Sequence, residues 1–281
     1  MALQYLIADG GSTKTSWMLT SEDKRTCLDT PGINPVRDTE EEIERVLDEC
    51  RLPVREGSLS IFYYGAGCIP PYSDVIRQAL RRRFPNAVIH VESDLLGAAH
   101  ALCGSDEGIA CILGTGSNSC LYDGSRIVAN VSPLGYILGD EGSGAVLGKR
   151  LIGNLLKGQM SPTLLRAFTE ETSLTPTDII DKVYRQPMPN RFLASLVPFL
   201  GRHRNESEIH EFLVGEFRDF FRRNVVLYHR PDLPVHFVGG VAQSYADELR
   251  EAADLEGHTV GTILQRPINA LADYLIKKKA S

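Results

Sequence analysis

The sequence predicts an α/β protein with mainly parallel sheets, and three observations support this fold class. Short apolar runs alternate with amphipathic segments of helical period between residues 40 and 102. The pattern of strand and helix starts again near residue 109. Both stretches open with an apolar run, a turn rich in glycine, serine and threonine, and a second strand-like run. Alternation of this kind indicates parallel strands joined by helical crossovers, and the restart indicates a duplicated domain.

The first half begins with a predicted β-meander and continues with alternating helices and strands. Glycines at residues 10–11 and a polar turn at 21–25 separate the strands of the meander, which are expected over 5–8, 15–20 and 26–29. The elements expected after the meander are a helix over 40–50, a strand over 59–64, a helix over 73–84, a strand over 87–91 and a helix over 94–102.

The second half of the sequence predicts an opening similar to that of the first half, followed by a mostly helical region. The expected elements are strands over 109–113 and 118–122, helices within 144–229, a strand over 235–238, a helix from 244 and a closing helix over 268–277. We therefore expect an N-terminal domain of residues 1–106, completed by the closing segment 264–281, and a C-terminal domain of residues 107–263.

Composition excludes several classes of protein. Of the 281 residues, 43% are hydrophobic and 23% are charged, which excludes a disordered chain, a collagen and a coiled coil. Lys and Arg number 30 against 36 Asp and Glu, so the net charge is −6. This acidic balance argues against a nucleic-acid partner, which would need a basic face. An anionic ligand is still compatible, because backbone amides and a metal ion can supply local positive charge.

The sequence also predicts a cytoplasmic protein that does not bind a membrane. No apolar run approaches the ~20 residues needed to cross a bilayer, and no basic segment precedes an apolar stretch at the N-terminus. The six cysteines form no Cys-x-x-Cys pair, which argues against zinc-ribbon and thioredoxin-type sites. We expect reduced thiols, with Cys68 and Cys103 as buried structural residues.

A glycine-rich turn over residues 9–15 is the first candidate ligand site. Its glycines allow close approach of a ligand, and successive amides can converge on phosphate oxygens. The candidate phosphate ligands in this turn are Gly10, Gly11, Ser12, Thr13 and Lys14. Asp9, at the end of the strand, is a candidate to hold Mg²⁺ through water. The spacing is not that of a Walker loop and no helix follows, so an ordinary hairpin turn is the alternative.

Two further glycine turns have weaker patterns. The turn over 114–118 resembles the first, and a plain β-turn is its alternative. Its candidate phosphate ligands are Thr115, Gly116 and Ser117. The turn over 239–242 lies between a strand and a helix, where adenosine could lie against the backbone; a tight strand-to-helix connection is the alternative. Its candidate adenosine ligands are Gly239, Gly240 and Ala242.

Asp94 stands where a strand ends and a helix begins. An Asp in this place is commonly a helix N-cap, which is the alternative to a catalytic role. The helix N-terminus should stabilise the ionised carboxylate and lower its pKa. Phosphoryl transfer nevertheless has a loose transition state, so an ionised Asp that orients the attacking hydroxyl can accept its proton late. Asp94 is therefore the candidate general base.

Two other residues suit a ligand with several hydroxyl groups. Asp140 lies in an acidic, glycine-rich turn, and a buried carboxylate can accept hydrogen bonds from two adjacent sugar hydroxyls. Its alternative is a helix start with acids at its positive end. Asn34, in a Gly-Ile-Asn-Pro loop, is a second candidate, and an Asx turn before the proline is its alternative.

In combination the motifs are more specific than any one of them. They occur in the order 9–15, 93–98, 114–118, 138–143 and 239–242. The set resembles the N-acetylglucosamine kinase family, within the BadF/BadG/BcrA/BcrD-type ATPases of the actin, hexokinase and Hsp70 superfamily. The Gly-Thr-Gly-Ser-Asn and Gly-Asp-Glu-Gly-Ser motifs are its most specific part, and the resemblance extends over nearly the whole chain.

The resemblance implies a fold, an activity and a set of site residues. The implied fold has two ribonuclease-H-like lobes with ATP and Mg²⁺ in the cleft between them. The turns at Asp9 and Thr115 would hold the phosphates, and Gly239 would lie beside adenosine. Asp94 would be the base for the 6-hydroxyl of an amino sugar, which receives the γ-phosphate of ATP. The implied sugar ligands are Asn34, Asp94, Thr115, Asn118, Gly135 and Asp140. A homodimer is compatible with the family.

One departure from the family bears on the sugar. Members assigned to N-acetylglucosamine carry Gly-Trp-Gly before Gly-Asp-Glu-Gly, whereas this chain has Leu134 in place of the tryptophan. Glucosamine and N-acetylmuramic acid are therefore alternatives to N-acetylglucosamine. A further alternative is an ATPase that energises an electron-transfer partner through a cluster bound by cysteines. No close second cysteine accompanies Cys68, which argues against this function.

Overall fold

The computed structural model describes residues 4–11, 13–21, 24–49, 51 and 58–280; the predicted ligand Ser12 and the predicted helix end at Cys50 lie outside them. The chain divides into two compact units. The first comprises residues 1–106, 124–127 and 266–281, and the second comprises residues 107–123 and 128–265.

A five-stranded sheet with the order β3-β2-β1-β4-β5 organises the first unit. Its strands are β1 (Gln4–Gly10), β2 (Lys14–Ser21), β3 (Lys24–Pro31), β4 (Leu59–Gly65) and β5 (Val88–Ser93). The first three form the predicted antiparallel meander, whereas β4 is parallel to both β1 and β5. The register pairs Gly10 with Gly65 and Gly65 with Ser93, so the carboxyl ends of the parallel strands lie side by side.

Helices cover both faces of this sheet. They are α1 (Glu40–Glu49), α2 (Ser73–Arg83), α3 (Asp94–Cys103) and α13 (Ile268–Ala280). Ile43 and Ile76, from α1 and α2, share a buried cluster with Trp17 on one face. Successive side chains of a strand point to opposite faces, so the neighbouring Met18 joins Leu271 of α13 in a separate cluster. The ends of β1, β4 and β5 are thus held on a sheet packed from both sides.

The second unit repeats the topology of the first. Its strands are β6 (Glu107–Leu113), β7 (Ser117–Asp123), β8 (Ile127–Ala129), β9 (Val235–Val238) and β10 (Val260–Leu264). Their order is β10-β9-β6-β7-β8, which is the order of the first sheet written in reverse. As in the first sheet, the opening pair β6 and β7 is antiparallel and the next two pairs are parallel. The internal repeat predicted from the two glycine turns is confirmed by this correspondence.

Helices also form most of the second unit between β8 and β9. The helices of this unit are α4 (Gly135–Leu138), α5 (Gly144–Leu156), α6 (Pro162–Thr172), α7 (Pro176–Tyr184), α8 (Pro189–Ser195), α9 (Val197–Arg202), α10 (Ser207–Arg223), a 3-10 helix (Val225–Tyr228), α11 (Gly240–Ser244) and α12 (Ala246–Leu255). Fully buried Phe220 and Phe221 of α10 pack on Phe237 of β9. In the part of the chain that the structure describes, no helix has the length and apolarity needed to span a bilayer.

Four elements differ from the sequence prediction. The short elements β8, β10 and α4 were not predicted, and Gly240 begins α11 instead of lying in a turn. β10 is an edge strand without a fully buried residue, so it lacks the apolar run that marks a buried strand. β8 has only three residues and α4 only four, which is too few for a periodic pattern.

Candidate functional site

Two carboxylates meet at the carboxyl ends of the parallel strands in the first unit. Asp9 is the penultimate residue of β1, and Asp94 follows directly after β5. The pKa of Asp9 is raised to about 7, first by burial and then by the negative charge of Asp94, while Arg266 lowers it. The two acids are therefore close enough to influence each other, and a cation beside them would relieve the repulsion.

Asp94 is not the N-cap of α3. The N-cap of α3 is Ser93, whose Oγ accepts a hydrogen bond from the Leu96 N–H at 3.2 Å. Asp94 accepts the Leu95 N–H at 2.9 Å, and its pKa is raised because burial outweighs the stabilising backbone hydrogen bonds. The expectation of a lowered pKa was wrong, since it considered the helix terminus and not the loss of water around the carboxylate. A raised pKa makes Asp94 a stronger base.

Glycines at the ends of β1 and β4 make room for a neighbouring side chain, that of Tyr63. A Cβ on Gly10 would lie 2.5 Å from the Tyr63 hydroxyl and 3.3 Å from the Cα of Gly65. The Ala66 N–H also donates to the Gly10 carbonyl at 2.7 Å. Gly65 was not among the predicted site residues, although its place at the end of an apolar run was a usable signal. Gly10 and Gly65 are therefore required for packing, because the Tyr63 side chain lies where their Cβ atoms would stand.

The remainder of the first glycine turn is a closed hairpin. The Gly11 N–H donates to the Lys14 carbonyl at 2.9 Å, and the Gly32 N–H donates to the carbonyl of exposed Thr13 at 3.1 Å. The Lys14 ammonium forms an ion pair with Asp29 at 2.5 Å. Phosphate binding by Lys14 would therefore require this half-exposed pair to exchange its partner.

Asn34 lies beside the turn that follows β4. Its Oδ1 accepts the Val36 N–H at 3.1 Å, so the Asx turn considered for this residue is present. The same Oδ1 is 2.6 Å from the place where a Cβ on Gly67 would stand, and Gly67 has a φ of +75°. The backbone N–H of Asn34 donates to Asp38 at 2.7 Å, which fixes the loop. A role in sugar binding stays a prediction for Asn34.

The cysteines near this site are buried. Cys68 and Cys103 are 3% and 8% exposed, so the expectation of buried thiols is confirmed. The pKa of the Cys68 thiol is raised to about 12, by burial and then by Asp94. A thiol in this state is a poor metal ligand and a poor nucleophile.

In the second unit, the turn after β6 is joined to the start of α5. The Gly114 N–H donates to the Gly116 carbonyl at 2.9 Å, which closes the turn. The Gly144 N–H donates to the Gly114 carbonyl at 2.8 Å, and the Ala145 N–H donates to the Thr115 carbonyl at 3.1 Å. The first amides of α5 thus hold the turn, and the two predicted motifs form one assembly.

Asp140 belongs to this assembly. It has a φ of +55°, and its carboxylate accepts the backbone N–H of Ser117 and lies 3.2 Å from the Cβ position of Gly116. Burial raises its pKa to about 6. The alternative role at a helix start was wrong, because α5 begins at Gly144 with Ser143 as its N-cap. The structure therefore brings together the predicted residues Thr115, Gly116, Ser117 and Asp140.

Two other predicted sugar ligands lie in the same unit. The Asn118 Oδ1 accepts the Ser119 N–H and the Asn130 side-chain amide, each at 2.9 Å, so this oxygen holds the beginning of β7. Gly135 is exposed at the start of α4, with a φ of +74°. Leu134 precedes it with 60% exposure, which gives this segment an apolar surface.

The third glycine turn packs closely against β6. A Cβ on Gly239 would lie 2.1 Å from the Leu113 carbonyl oxygen, and its φ is +133°. Gly240 has no atom within 4 Å of its Cβ position, so a ligand could approach its backbone. Ala242 is fully buried, and its methyl group belongs to the core. Of the three candidates for adenosine, Gly240 thus has the most room.

The metal donors in the described residues are few. Within 4–11, 13–21, 24–49, 51 and 58–280, no group of three or more His, Cys, Asp or Glu side chains is arranged to hold a metal. The candidate donor for Mg²⁺ is the Asp9 carboxylate. Mg²⁺ keeps several waters and is often bound through one or two carboxylates and substrate phosphates, so this donor set fits the ion.

Comparison with solved structures identifies relatives over the full length. A candidate N-acetylglucosamine kinase from Porphyromonas gingivalis is 48% identical, with a TM-score of 0.92 over 98% of this chain and 99% of that chain. A second candidate N-acetylglucosamine kinase, from Chromobacterium violaceum, is 20% identical with a TM-score of 0.71 over 98% of each chain. A ROK family glucokinase from Streptomyces griseus, solved with glucose and AMPPNP, is 16% identical with a TM-score of 0.55 over 97% of this chain and 98% of that chain. No family model matches the sequence. The fold is that of the actin, hexokinase and Hsp70 ATPases.

Proposed function

We propose, from the premise that the chain belongs to the N-acetylglucosamine kinase family, that it transfers the γ-phosphate of ATP to the 6-hydroxyl of an amino sugar, N-acetylglucosamine first among them. The observation that carries this proposal is that Asp9 and Asp94, at the carboxyl ends of β1 and β5, lie close enough for the charge of Asp94 to raise the pKa of Asp9. Ligands of α/β sheets bind beyond the carboxyl ends of the strands, where these two acids lie. Their separate roles follow from their surroundings.

Asp94 is the proposed base for the sugar hydroxyl. Its carboxylate is held by the Leu95 N–H at 2.9 Å, so one oxygen is fixed while the other can accept a hydrogen bond from a ligand. Burial raises its pKa, which favours proton uptake as the phosphoryl bond forms. In phosphoryl transfer the protein contributes chiefly orientation and charge stabilisation, and Asp94 supplies the orientation of the attacking oxygen.

Asp9 is the proposed carboxylate for Mg²⁺. A buried acid with a pKa near 7 beside a second acid is destabilised when ionised, and a divalent cation would remove that cost. Mg²⁺, when bound, neutralises charge on the transferred phosphoryl group. Asp9 itself would hold the ion or its water ligands. The phosphates are proposed to lie at the turn that follows, with Gly10, Gly11, Ser12, Thr13 and Lys14 as their ligands.

The second unit supplies the proposed contacts with phosphate and sugar. The turn with Thr115, Gly116 and Ser117 is a candidate for phosphate, and the Thr115 hydroxyl is also a candidate for the sugar. Asp140 is held against this turn by the Ser117 N–H and can accept hydrogen bonds from sugar hydroxyls. Asn34, Asn118 and Gly135 complete the proposed sugar ligands, and Gly239, Gly240 and Ala242 would lie beside adenosine.

The choice of sugar is the least constrained part of the proposal. The exposed Leu134 offers an apolar contact without an aromatic ring, so glucosamine and N-acetylmuramic acid stay in the set of substrates to be tested. The family resemblance also supports a cytoplasmic location and a homodimer. Light scattering of the purified protein would test the homodimer.

A coupled assay of ADP release tests the proposal. Purified protein with ATP and Mg²⁺ is assayed with N-acetylglucosamine, glucosamine, N-acetylmuramic acid and glucose, and we expect strong stimulation by one amino sugar. Asp94→Asn should lower kcat by a factor of ~10² or more, the range of general base catalysis. Binding of ATP, followed by calorimetry, should stay within about twofold in that variant. Asp106→Asn changes an exposed acid of the same unit and should keep full activity.

Two results would count against the proposal. ADP release that is indifferent to every sugar would favour a sugar-independent ATPase. Full turnover by Asp94→Asn, in the presence of a sugar that stimulates the wild type, would remove Asp94 from the role of base and leave the sugar kinase activity standing.

A further inference from the structure

Glu141, the neighbour of Asp140, is directed into the second unit. Glu141 is 7% exposed, although glutamate is usually a surface residue. Oε1 forms an ion pair with Arg223 Nε at 2.6 Å, and Oε2 accepts a hydrogen bond from the Asn224 amide at 3.4 Å. Both carboxylate oxygens are thus bound to the end of α10, which is far from Glu141 in the sequence.

The turn that contains Glu141 is in an unfavourable backbone conformation. Asp140 has a φ of +55° and Gly142 a φ of +70°, so a left-handed residue precedes and follows Glu141. For a residue other than glycine this region costs ~1–2 kcal/mol, and such residues persist when surrounding contacts hold them. The backbone of Asp140 is held by its N–H, which donates to the Pro133 carbonyl at 2.8 Å, and by its carbonyl, which accepts the Ser143 N–H at 3.0 Å. The bonds of the Glu141 carboxylate add a long-range contact to this turn.

The end of α10 is a firm anchor for such a contact. The backbone N–H and the side-chain amide of Asn224 both donate to the Phe220 carbonyl, at 3.0 and 3.1 Å. Phe220 and Phe221 are fully buried and pack on Phe237 in the middle of the core. A displacement of this helix end would therefore disturb the packing of the whole unit.

We propose that the ion pair between Glu141 and Arg223 is a positioning device that holds the Asp140 carboxylate in the orientation that binds the sugar. The inference rests on the proposed function, and it assigns to Glu141 and Arg223 an action through Asp140 and no direct contact with the sugar. The Arg223 side chain is 60% exposed and that of Glu141 is 10% exposed, so the pair is weaker than one with both partners buried.

The charges around Asp140 predict that removing either member of the ion pair changes the pKa of Asp140. Besides burial, the pKa of Asp140 is raised by the charge of Glu141 and lowered by the Ser117 N–H and the charge of Lys149. Arg223 neutralises Glu141. Removing the charge of Glu141 should therefore lower the pKa of Asp140, whereas removing Arg223 leaves Glu141 unbalanced and should raise it. A merely structural defect would not produce shifts of opposite sign.

The test compares Glu141→Gln and Arg223→Gln with a matched pair of controls. Arg222, the neighbour of Arg223 on α10, pairs with Glu256 at 2.9 Å, so Arg222→Gln removes one ion pair from the same helix end. Glu256→Gln also removes the pair of Glu256 with Arg218 at 2.7 Å, so it is the more severe control. With N-acetylglucosamine as the probe, each of the two test variants should raise the KM for the sugar by about tenfold and leave the KM for ATP within about twofold. The double variant should cost no more than either single one, because both remove the same interaction.

The pH profile of kcat/KM for the sugar gives the decisive readout. With ATP and Mg²⁺ saturating, so that Asp9 stays ionised, we expect the part of the acidic limb near pH 6 to move to lower pH in Glu141→Gln and to higher pH in Arg223→Gln, while both controls match the wild type. Unchanged sugar KM in an active protein, or shifts in the same direction, would overturn the inference alone. A wild type without activity on any sugar would overturn both the inference and the proposed function. If Arg223→Gln does not fold, the isosteric Glu141→Gln decides by its KM and its shift.

Discussion

Replacing Asp9 by asparagine should stabilise the folded protein at alkaline pH and do so much less at acidic pH. The pKa of Asp9 is raised from 3.8 to about 7 in the folded state. Between these values the native state binds more protons than the unfolded state, so the stability of the wild type falls as the pH rises. The penalty is absent below about pH 3.8 and complete above pH 7. Asparagine carries no charge and avoids it.

The magnitude follows from the pKa difference. A rise from 3.8 to about 7 corresponds to ~4 kcal/mol at full ionisation, of which ~3 kcal/mol develops between pH 5 and pH 8. The free energy of unfolding of Asp9→Asn minus that of the wild type should increase by this amount over the interval. With a urea m-value of ~1–3 kcal/mol per molar, the difference in transition midpoints should grow by ~1–3 M.

The assay follows urea unfolding by tryptophan fluorescence without nucleotide or Mg²⁺. The chain has one tryptophan, Trp17, which is fully buried in the first unit and donates to Thr30 Oγ1 at 2.9 Å. Its emission therefore reports the unit that contains Asp9. Asp106→Asn serves as the control, since it removes an exposed carboxylate from the same unit. Parallel pH dependence of Asp9→Asn and the wild type would refute the argument that burial and Asp94 keep Asp9 protonated.

Three further substitutions test other parts of the site. Gly10→Ala should raise the KM for ATP by about tenfold, because its Cβ would lie 2.5 Å from the Tyr63 hydroxyl. Adding Tyr63→Phe should lower that KM part of the way back to the wild-type value. A KM for ATP that stays at the wild-type value in Gly10→Ala would contradict a role of Gly10 in the phosphate site. Asp140→Asn should raise the KM for the sugar more than that for ATP and flatten the profile near pH 6, and equal rises would contradict its sugar role. Gly239→Ala should destabilise the protein by ~2–3 kcal/mol, because its Cβ would overlap the Leu113 carbonyl; an unchanged melting temperature would contradict this packing.

Helices and strands could be predicted where the pattern lies within the residues of the element itself. The meander of β1, β2 and β3 and the strand β9 follow from short apolar runs bounded by glycine or polar turns, and the structure confirms them. The edge strand β10 could not be found in this way, because its place depends on pairing with β9 and not on its own pattern. The similarity of the two glycine turns predicted the repeat, and the matching strand orders confirm it.

The residues of the site could be predicted from the sequence, but the burial and the charges around each of them could not. The sequence placed Asp94 at a junction of strand and helix, yet burial, which sets the direction of its pKa, depends on the whole unit. The cap is Ser93, one residue earlier, and no composition rule distinguishes the two positions. The contact between Glu141 and Arg223 has no local signal, because it joins a turn to the distant end of α10.

The product of the reaction distinguishes a sugar kinase from a sugar-independent ATPase. Protein, Mg²⁺, ATP and ¹³C-labelled N-acetylglucosamine are incubated together, and phosphorus–carbon coupling in the NMR spectrum shows which carbon carries the phosphate. We expect a phosphate ester at carbon 6, formed in a one-to-one ratio with ADP, and its loss in Asp94→Asn. Release of inorganic phosphate with the sugar unchanged, under conditions where every amino sugar of the panel also stays unchanged, would contradict it.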